Sequence, residues 1–327
     1  MIKKILVTGA GGYIGSVLVP MLLDKGYYVL AADKYFFGTT LKKNANLKII
    51  KVDCRKINKK YFKDVYGVID LVAISNDPSG ELFKKLTWQT NYESRLRCAK
   101  ISKKNGISRY LLPSSCSIYG FQKKIVNEKS KVNPLTNYAK ANYKSENKIL
   151  KLKTNKFIVT VLRQATIFGL SPRMRFDLAI NGMTEGAKKN GYLPIMRNGK
   201  QIRPLCHVKD TCRLQIHLLE QDPIKINGEI FNVGSKMCTK NIKQFADIVK
   251  KCFRKKIKLK WYGDPDNRSY NVSFEKLKKI KFKTKYSINY GVREILNALN
   301  NGKTKKTKKT ITLEWYKFLK SKNKFLS

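Results

Sequence analysis

From Lys3 to Ala73 the chain alternates short aliphatic, β-branched runs with stretches in which apolar positions recur every three or four residues. The short runs are Lys3 to Thr8, Tyr28 to Ala32, Leu47 to Val52 and Val68 to Ala73, and a helical period covers Tyr13 to Lys25. Runs apolar on both faces and separated by amphipathic segments predict parallel strands joined by crossover helices. The rhythm continues with a helical stretch over Lys84 to Asn105, an apolar run at Arg109 to Pro113, a helix near Leu135 to Leu152 and a strand at Phe157 to Arg163. The expected architecture is α/β, with a doubly wound parallel sheet.

After Gly169 the pattern breaks, and Pro172, Gly182, Gly186, Gly191, Pro194 and Gly199 punctuate shorter segments. This predicts a main domain over 1–169 and a smaller C-terminal α/β lobe over 170–327, with a strand near 229–234 returning to the main sheet. The run GKTKKTKKT from Gly302 to Thr310 reads as an exposed loop.

Composition narrows the class without choosing a partner. Apolar residues make up 42% of the 327, too many for a chain whose main state is disordered. The 69 Lys and Arg against 22 Asp and Glu leave a formal +47. Such a charge attracts phosphorylated small molecules, nucleic acid or anionic membranes, or else reflects lysines spread over solvated faces. Cysteines 54, 98, 116, 206, 212, 238 and 252 show neither disulfide nor metal-binding spacing, so no metal is expected. The opening MIKKILVTGAGG runs into a strand and a glycine turn, and no apolar run is long enough for a membrane span. A cytoplasmic protein with reduced thiols and no membrane partner is expected.

The chemistry begins at VTGAGGYIG, where Gly9, Gly12 and Gly15 follow a strand and open a helix. In a Rossmann-type turn the first glycine permits the bend, the second admits a pyrophosphate, and the third lets helix and strand pack closely. The helix N-terminus then faces the phosphates. Asp33 ends the second strand, where its carboxylate accepts from the adenosine ribose hydroxyls and repels a 2′-phosphate, which favours NAD over NADP; Lys34 beside it is the one residue that argues the other way. Asp53 closes a later strand, either to meet the adenine amino group or simply to end the strand in a turn.

These residues, with SSCSIYG at 114–120 and NYAKANYKSE at 137–146, resemble the extended short-chain dehydrogenase/reductases, in particular the NAD-dependent epimerase/dehydratase family acting on nucleotide-sugars. LRQATIFG (162–169), SPRMRFDLAINGM (171–183), RPLCHVKD (203–210), FNVGS (231–235) and DNRSYNVSF (266–274) look like later landmarks of the same family. The resemblance implies NAD as cofactor, a nucleotide-diphosphate sugar as substrate and a homodimer. It adds Tyr13, Ile14, Cys54, Leu71, Val72, Ala73 and Asn91 to the cofactor-binding candidates.

By the same resemblance Tyr138 removes a proton from a sugar hydroxyl and Ser115 hydrogen-bonds that oxygen. A tyrosine must be brought down from its ordinary pKa near 10 to do this, usually by a neighbouring cation. The Tyr-x-x-x-Lys pattern puts a lysine one turn later, on the same helix face. This chain has Asn142 there, while Lys140 and Lys144 fall on other faces. Asn142 can bond the nicotinamide ribose, but the charge must come from the nicotinamide ring or from a lysine elsewhere. The acidic pair of the dehydratases is replaced by Cys116 and Ser117, which disfavours dehydration. Cys116 is then either an acid/base group or a buried thiol.

At the substrate end Arg203 and Arg268 fall on landmarks near the diphosphate, Arg173 and Arg175 are further cations, and Asn181 resembles an asparagine that reaches a phosphate or sugar. Ser115 and Ser117 are placed beside the sugar. The expected function is an NAD-dependent nucleotide-sugar epimerase or 4-dehydrogenase working through a 4-keto sugar. An atypical dehydratase, decarboxylase or reductase is the alternative within enzymes. A non-catalytic NAD-sensing nucleic-acid-binding protein is the alternative outside them, and nucleic acid is the less expected partner.

Overall fold

The computed structural model describes residues 2–196, 198–263 and 271–323. Seven strands make one parallel sheet: β1 (Lys4–Thr8), β2 (Tyr28–Asp33), β3 (Leu47–Lys51), β4 (Gly67–Asp70), β5 (Arg109–Ser115), β7 (Ile158–Gln164) and β11 (Ile230–Val233). Their order is β11-β7-β5-β4-β1-β2-β3, every pair parallel. Sequence order reverses direction between β1 and β4, so a crevice opens beyond the C-terminal ends of those strands, the place where such sheets hold ligands.

Alternation along β1 shows why both faces are covered. Ile5 and Val7 join one buried cluster, with α1 (Gly15–Asp24) and α7 (Val208–Glu220), while Leu6 joins another on the opposite face. That second face carries α4 (Arg95–Lys104) and α5 (Asn137–Leu150), and α2 (Asp77–Leu82) and α3 (Lys84–Trp88) pack against α5. The predicted single helix over Lys84 to Asn105 is interrupted by a π-helical turn at Gln89–Ser94. Within it Asn91, fully buried, accepts from the Ile74 amide (2.8 Å) and donates to the Ile74 carbonyl (3.1 Å), tying the helix to the loop after β4.

The remaining strands build the second lobe. β8 (Thr166–Phe168), β10 (Ile202–His207) and β12 (Ser235–Asn241) form a mixed three-stranded sheet. β9 (Tyr192–Met196) pairs with β13 (Lys258–Tyr262), and β6 (Ile125–Val126) with β14 (Asn271–Val272). α6 (Ala179–Asn190), α9 (Ile242–Lys251) and α10 (Ile288–Asn300) pack around a core containing Phe168, Leu205 and Phe245; the short α8 (Pro223–Ile226) leads into β11. The last helix, α11 (Thr312–Ser321), returns to the main domain, where Tyr316 and Leu319 join Ile74, Phe83 and Leu86.

Candidate active site

A cavity of about 320 Å³ lies at the C-terminal ends of β1, β4 and β5. Its floor is the glycine turn. Gly9 has φ +69°, and a Cβ there would come within 2.7 Å of the Leu71 carbonyl carbon. A Cβ on Gly15 would sit 2.5 Å from the Ala10 oxygen, so only glycine lets α1 start this close to β1. No side chain caps that helix N-terminus. Its dipole and amides therefore face the cavity floor, where Gly12, Tyr13 and Ile14 complete the wall, a ready site for phosphates.

At one end stands Asp33. Its oxygens accept from the Gly11 amide (3.0 Å) and the Tyr35 amide (2.6 Å), leaving lone pairs for a ligand hydroxyl. Burial pushes its carboxyl above the usual range, against the pull of those amides. Lys34 turns aside to pair with Asp53 at 3.3 Å. Asp53 caps a short 3₁₀ turn through the Arg55 amide and holds the Arg55 guanidinium at 2.6 Å. Burial raises the Asp53 pKa, but these Arg55 bonds prevail and hold it below the ordinary value. Asp53, Cys54, Leu71, Val72 and Ala73 all face the cavity.

Arg173, expected with the substrate, lies instead at the Asp33 end. Its guanidinium stacks 3.5 Å from the Phe37 ring centre and Nη2 donates to Thr312 Oγ1 (3.2 Å). Nε and Nη1 are buried with no partner among the described residues, although Arg173 faces the cavity. Burial, with Arg175 nearby, lowers its pKa to about 10. Two unsatisfied donors beside the Asp33 carboxylate fit a ligand rich in acceptor oxygens.

The other end holds the reactive groups. Thr136 caps α5 by accepting from the Ala139 amide (3.1 Å), which sets Tyr138 in the first turn. Gly80 of α2 admits it, since a Cβ there would meet the Tyr138 Cβ at 2.8 Å. The Tyr138 phenol and the Ser115 side chain both line this end of the cavity. Ser115 Oγ accepts from the Ser117 amide at 3.1 Å. Burial raises the Tyr138 pKa and Asp77 adds to the rise, while Ser115, Arg95 and Arg175 oppose it; the net shift is upward. The Ser117 hydroxyl and the Gln164 amide nitrogen face this end, buried and without partners among the described residues.

Several expected site residues are placed elsewhere. Cys116 is fully buried behind the wall, donates to the Arg163 carbonyl (3.1 Å) and packs with Ile118 and Val126, so its thiol cannot reach a ligand. Burial pushes that thiol far above its ordinary pKa. Asn181 spends its amide on the Gly169 amide, the Tyr13 hydroxyl and the Arg175 carbonyl, all within 3.0 Å, and is buried away from the cavity. Asn91 serves Ile74 rather than a ligand. Arg203 lies on β10, donating to the Ile202 carbonyl (3.2 Å), off the cavity wall. Arg268 lies outside the described residues. Asn142 is buried behind Tyr138, and Arg95 occupies the wall in front of it.

Arg95, Gln164 and Tyr316 line the cavity, and sequence reasoning passed over all three. Arg95 carried a signal: it lies four residues after Asn91, on a helix already assigned to the site.

The NAD dependent epimerase/dehydratase family model matches residues 5–234. The chain belongs to that family. Among relatives of this member is a UDP-glucuronate 4-epimerase of Thermodesulfobacterium geofontis, 25% identical over 89% of this chain and 94% of that protein. Another is UDP-glucuronic acid decarboxylase 6 of Arabidopsis thaliana, 27% identical over 83% and 81%. The solved UDP-glucuronic acid 4-epimerase from Bacillus cereus, in complex with UDP-glucuronic acid and NAD, shares the fold with TM-score 0.82 at 22% identity, covering 91% of this chain and 99% of that one. The cavity fits the family's dinucleotide on its own geometry. The glycine turn and α1 would hold the pyrophosphate, Asp33 and Arg173 the adenosine end, and Val72, Arg95 and Tyr138 the nicotinamide end.

Proposed function

We propose that this chain is a nucleotide-sugar 4-epimerase, oxidising a sugar hydroxyl to a ketone and reducing it again from the other face. The observation that carries the reading is that Tyr138 and Ser115 line one end of the same cavity whose far end is closed by Asp33. Bound NAD+ supplies a ring that takes hydride from the sugar carbon and gives it back. Tyr138 accepts the hydroxyl proton as the ketone forms and returns it on reduction, so substrate and product have equal mass. Ser115 donates to the same oxygen and fixes it beside the phenol. Ser117 and Gln164 offer the unsatisfied groups that hold neighbouring sugar hydroxyls.

The two positions after Ser115, where the dehydratases carry an acidic pair, hold no acid here, since Cys116 is turned into the protein and Ser117 is a hydroxyl. This favours epimerisation over dehydration. Loss of carbon dioxide, the chemistry named for one relative, shares the first oxidation and differs in product.

The test is incubation of the NAD-loaded protein with UDP-, GDP-, CDP- and dTDP-sugars and uronic acids, followed by mass and NMR analysis. An epimer of unchanged mass supports the reading. Loss of water or carbon dioxide would replace it with a lyase reaction, and a stable released ketone with a 4-dehydrogenase.

A cytoplasmic homodimer serving polysaccharide biosynthesis is part of the same proposal. Its support is the half-buried Trp88 and Tyr92 on the outer helices, which a second subunit would cover. Among the described residues no helix is long and apolar enough to cross a membrane.

A further inference from the structure

We propose that Arg95 supplies the positive charge of the reaction centre, held by Asn142 in the role that a lysine at that helix position fills in the Tyr-x-x-x-Lys pattern. This rests on the epimerase reading above. Asn142, one turn after Tyr138, is fully buried; its Nδ2 donates to the Tyr138 carbonyl at 2.9 Å and its Oδ1 accepts from Arg95 Nη1 at 2.7 Å. An acceptor is needed at 142 to receive a guanidinium, and a lysine there would set two cations against each other in a desolvated space.

The guanidinium is fixed in direction. Arg95 Nε donates to the Val72 carbonyl at 2.9 Å, and the Arg95 carbonyl accepts from the Tyr110 hydroxyl at 3.1 Å. It follows directly on the π-helical turn, a distortion that often marks functional positions because it redirects one side chain without ending the helix. Arg95 is almost completely buried, yet it forms part of the cavity wall with Tyr138 and Ser115.

The charges that face Tyr138 single out Arg95. Asp77 on α2 opposes ionisation of the phenol, and Arg95 on α4 and Arg175 from the loop after β8 favour it. Arg175 is committed to Asp177, with Nη2 at 2.6 Å. Glu146, deeper on α5, is committed to Arg163 at 2.9 Å and to Ser114. Lys144 lies over the Trp88 and Tyr92 rings, and Lys140 is exposed. Glu81 on α2 bonds the Asn137 amide at the start of α5. Both Arg95 side-chain bonds go to neutral oxygens, so its charge is not cancelled by contact and acts on the cavity. A buried cation with no carboxylate bonded to it is costly, and a tyrosinate with the hydroxyls of a bound ligand is what it is placed to serve.

The test follows Tyr138 itself. Ultraviolet titration of the NAD-loaded protein, with Tyr138→Phe as the blank, reads the phenol's midpoint without any substrate, and the pH profile of kcat reads the same group in turnover. Arg95→Met should raise the midpoint by about one pH unit or more and lower kcat near neutrality by about tenfold. Arg95→Lys should keep part of the effect. The double variant Arg95→Met with Asn142→Lys should restore the lower midpoint, because it returns a cation to that space from the other helix. Asn142→Asp puts a carboxylate on the guanidinium and should act like Arg95→Met, which keeps the test available if Arg95→Met does not fold. A midpoint and pH profile unchanged in the folded, NAD-loaded variants would overturn the proposal. If the wild type turns over no nucleotide-sugar, the epimerase reading fails, while the spectral titration still decides the role of Arg95.

Discussion

The Tyr13 hydroxyl donates to the Gly169 carbonyl at 2.5 Å and accepts from Asn181 Nδ2 at 3.0 Å, so the glycine turn is fastened directly to the second lobe. The ring is buried, and burial holds its phenol protonated far beyond the ordinary tyrosine range. Tyr13→Phe leaves the Gly169 carbonyl without its donor and removes one of the two acceptors of the Asn181 amide nitrogen. A loss of about 1–3 kcal/mol is expected from an unsatisfied buried group. Urea denaturation should show it, together with weaker NAD binding, while a variant as stable as the wild type would mean that the turn is held by other contacts.

Arg173→Ala should weaken NAD binding by about tenfold, the scale of one or two lost charge-assisted hydrogen bonds. The saturating kcat should change little, because the residue lies at the Asp33 end of the cavity. Calorimetric titration of NAD and of a nucleotide-sugar separates the two possibilities. If only the sugar-nucleotide affinity falls, Arg173 serves the substrate after all.

Cys116→Ala should keep kcat within a few-fold of wild type, since the thiol bonds a backbone carbonyl and faces the core. The cost should appear in stability, at about 1 kcal/mol for a small core truncation. A hundredfold fall in kcat with intact NAD binding would return Cys116 to the catalytic set.

Activity should climb with pH from neutrality. Burial holds the Tyr138 phenol above its ordinary pKa, and only the deprotonated form accepts a proton. Raising the pH therefore increases the active fraction, and the rate should level off above the phenol's midpoint in the loaded enzyme. The profile of kcat checks this, and a rate that falls over the same range would assign the proton to another group.

The α/β rhythm, the glycine turn, Asp33, Ser115 and Tyr138 were legible because each depends on neighbours close in sequence. Hydrophobic period, strand ends and helix turns are local features. The charge replacing the lysine absent at position 142 was expected from the nicotinamide ring or from a lysine elsewhere; Arg95, which we propose for it, follows a π-helical turn that no hydrophobic period announces. The place of Arg173 was illegible for another reason. It depends on α11 folding back over the main domain, where Trp315 donates to the Phe36 carbonyl (2.7 Å) across 279 residues of chain. Asn181 was misplaced, and the two readings of Cys116 stayed open, because residue type alone does not tell which side of a wall a side chain faces.

We propose that Tyr138, with Ser115 at the same end of the cavity, drives oxidation of a sugar hydroxyl by the dinucleotide. Stopped-flow absorbance of the reduced nicotinamide, on mixing NAD-loaded protein with a UDP-sugar under single-turnover conditions, addresses it directly. A transient rise and decay in the wild type, slowed by about a thousandfold or more in Tyr138→Phe, is the predicted result. A Tyr138→Phe trace matching the wild type, or NAD-loaded protein that shows no reduction with any nucleotide-sugar, would contradict it.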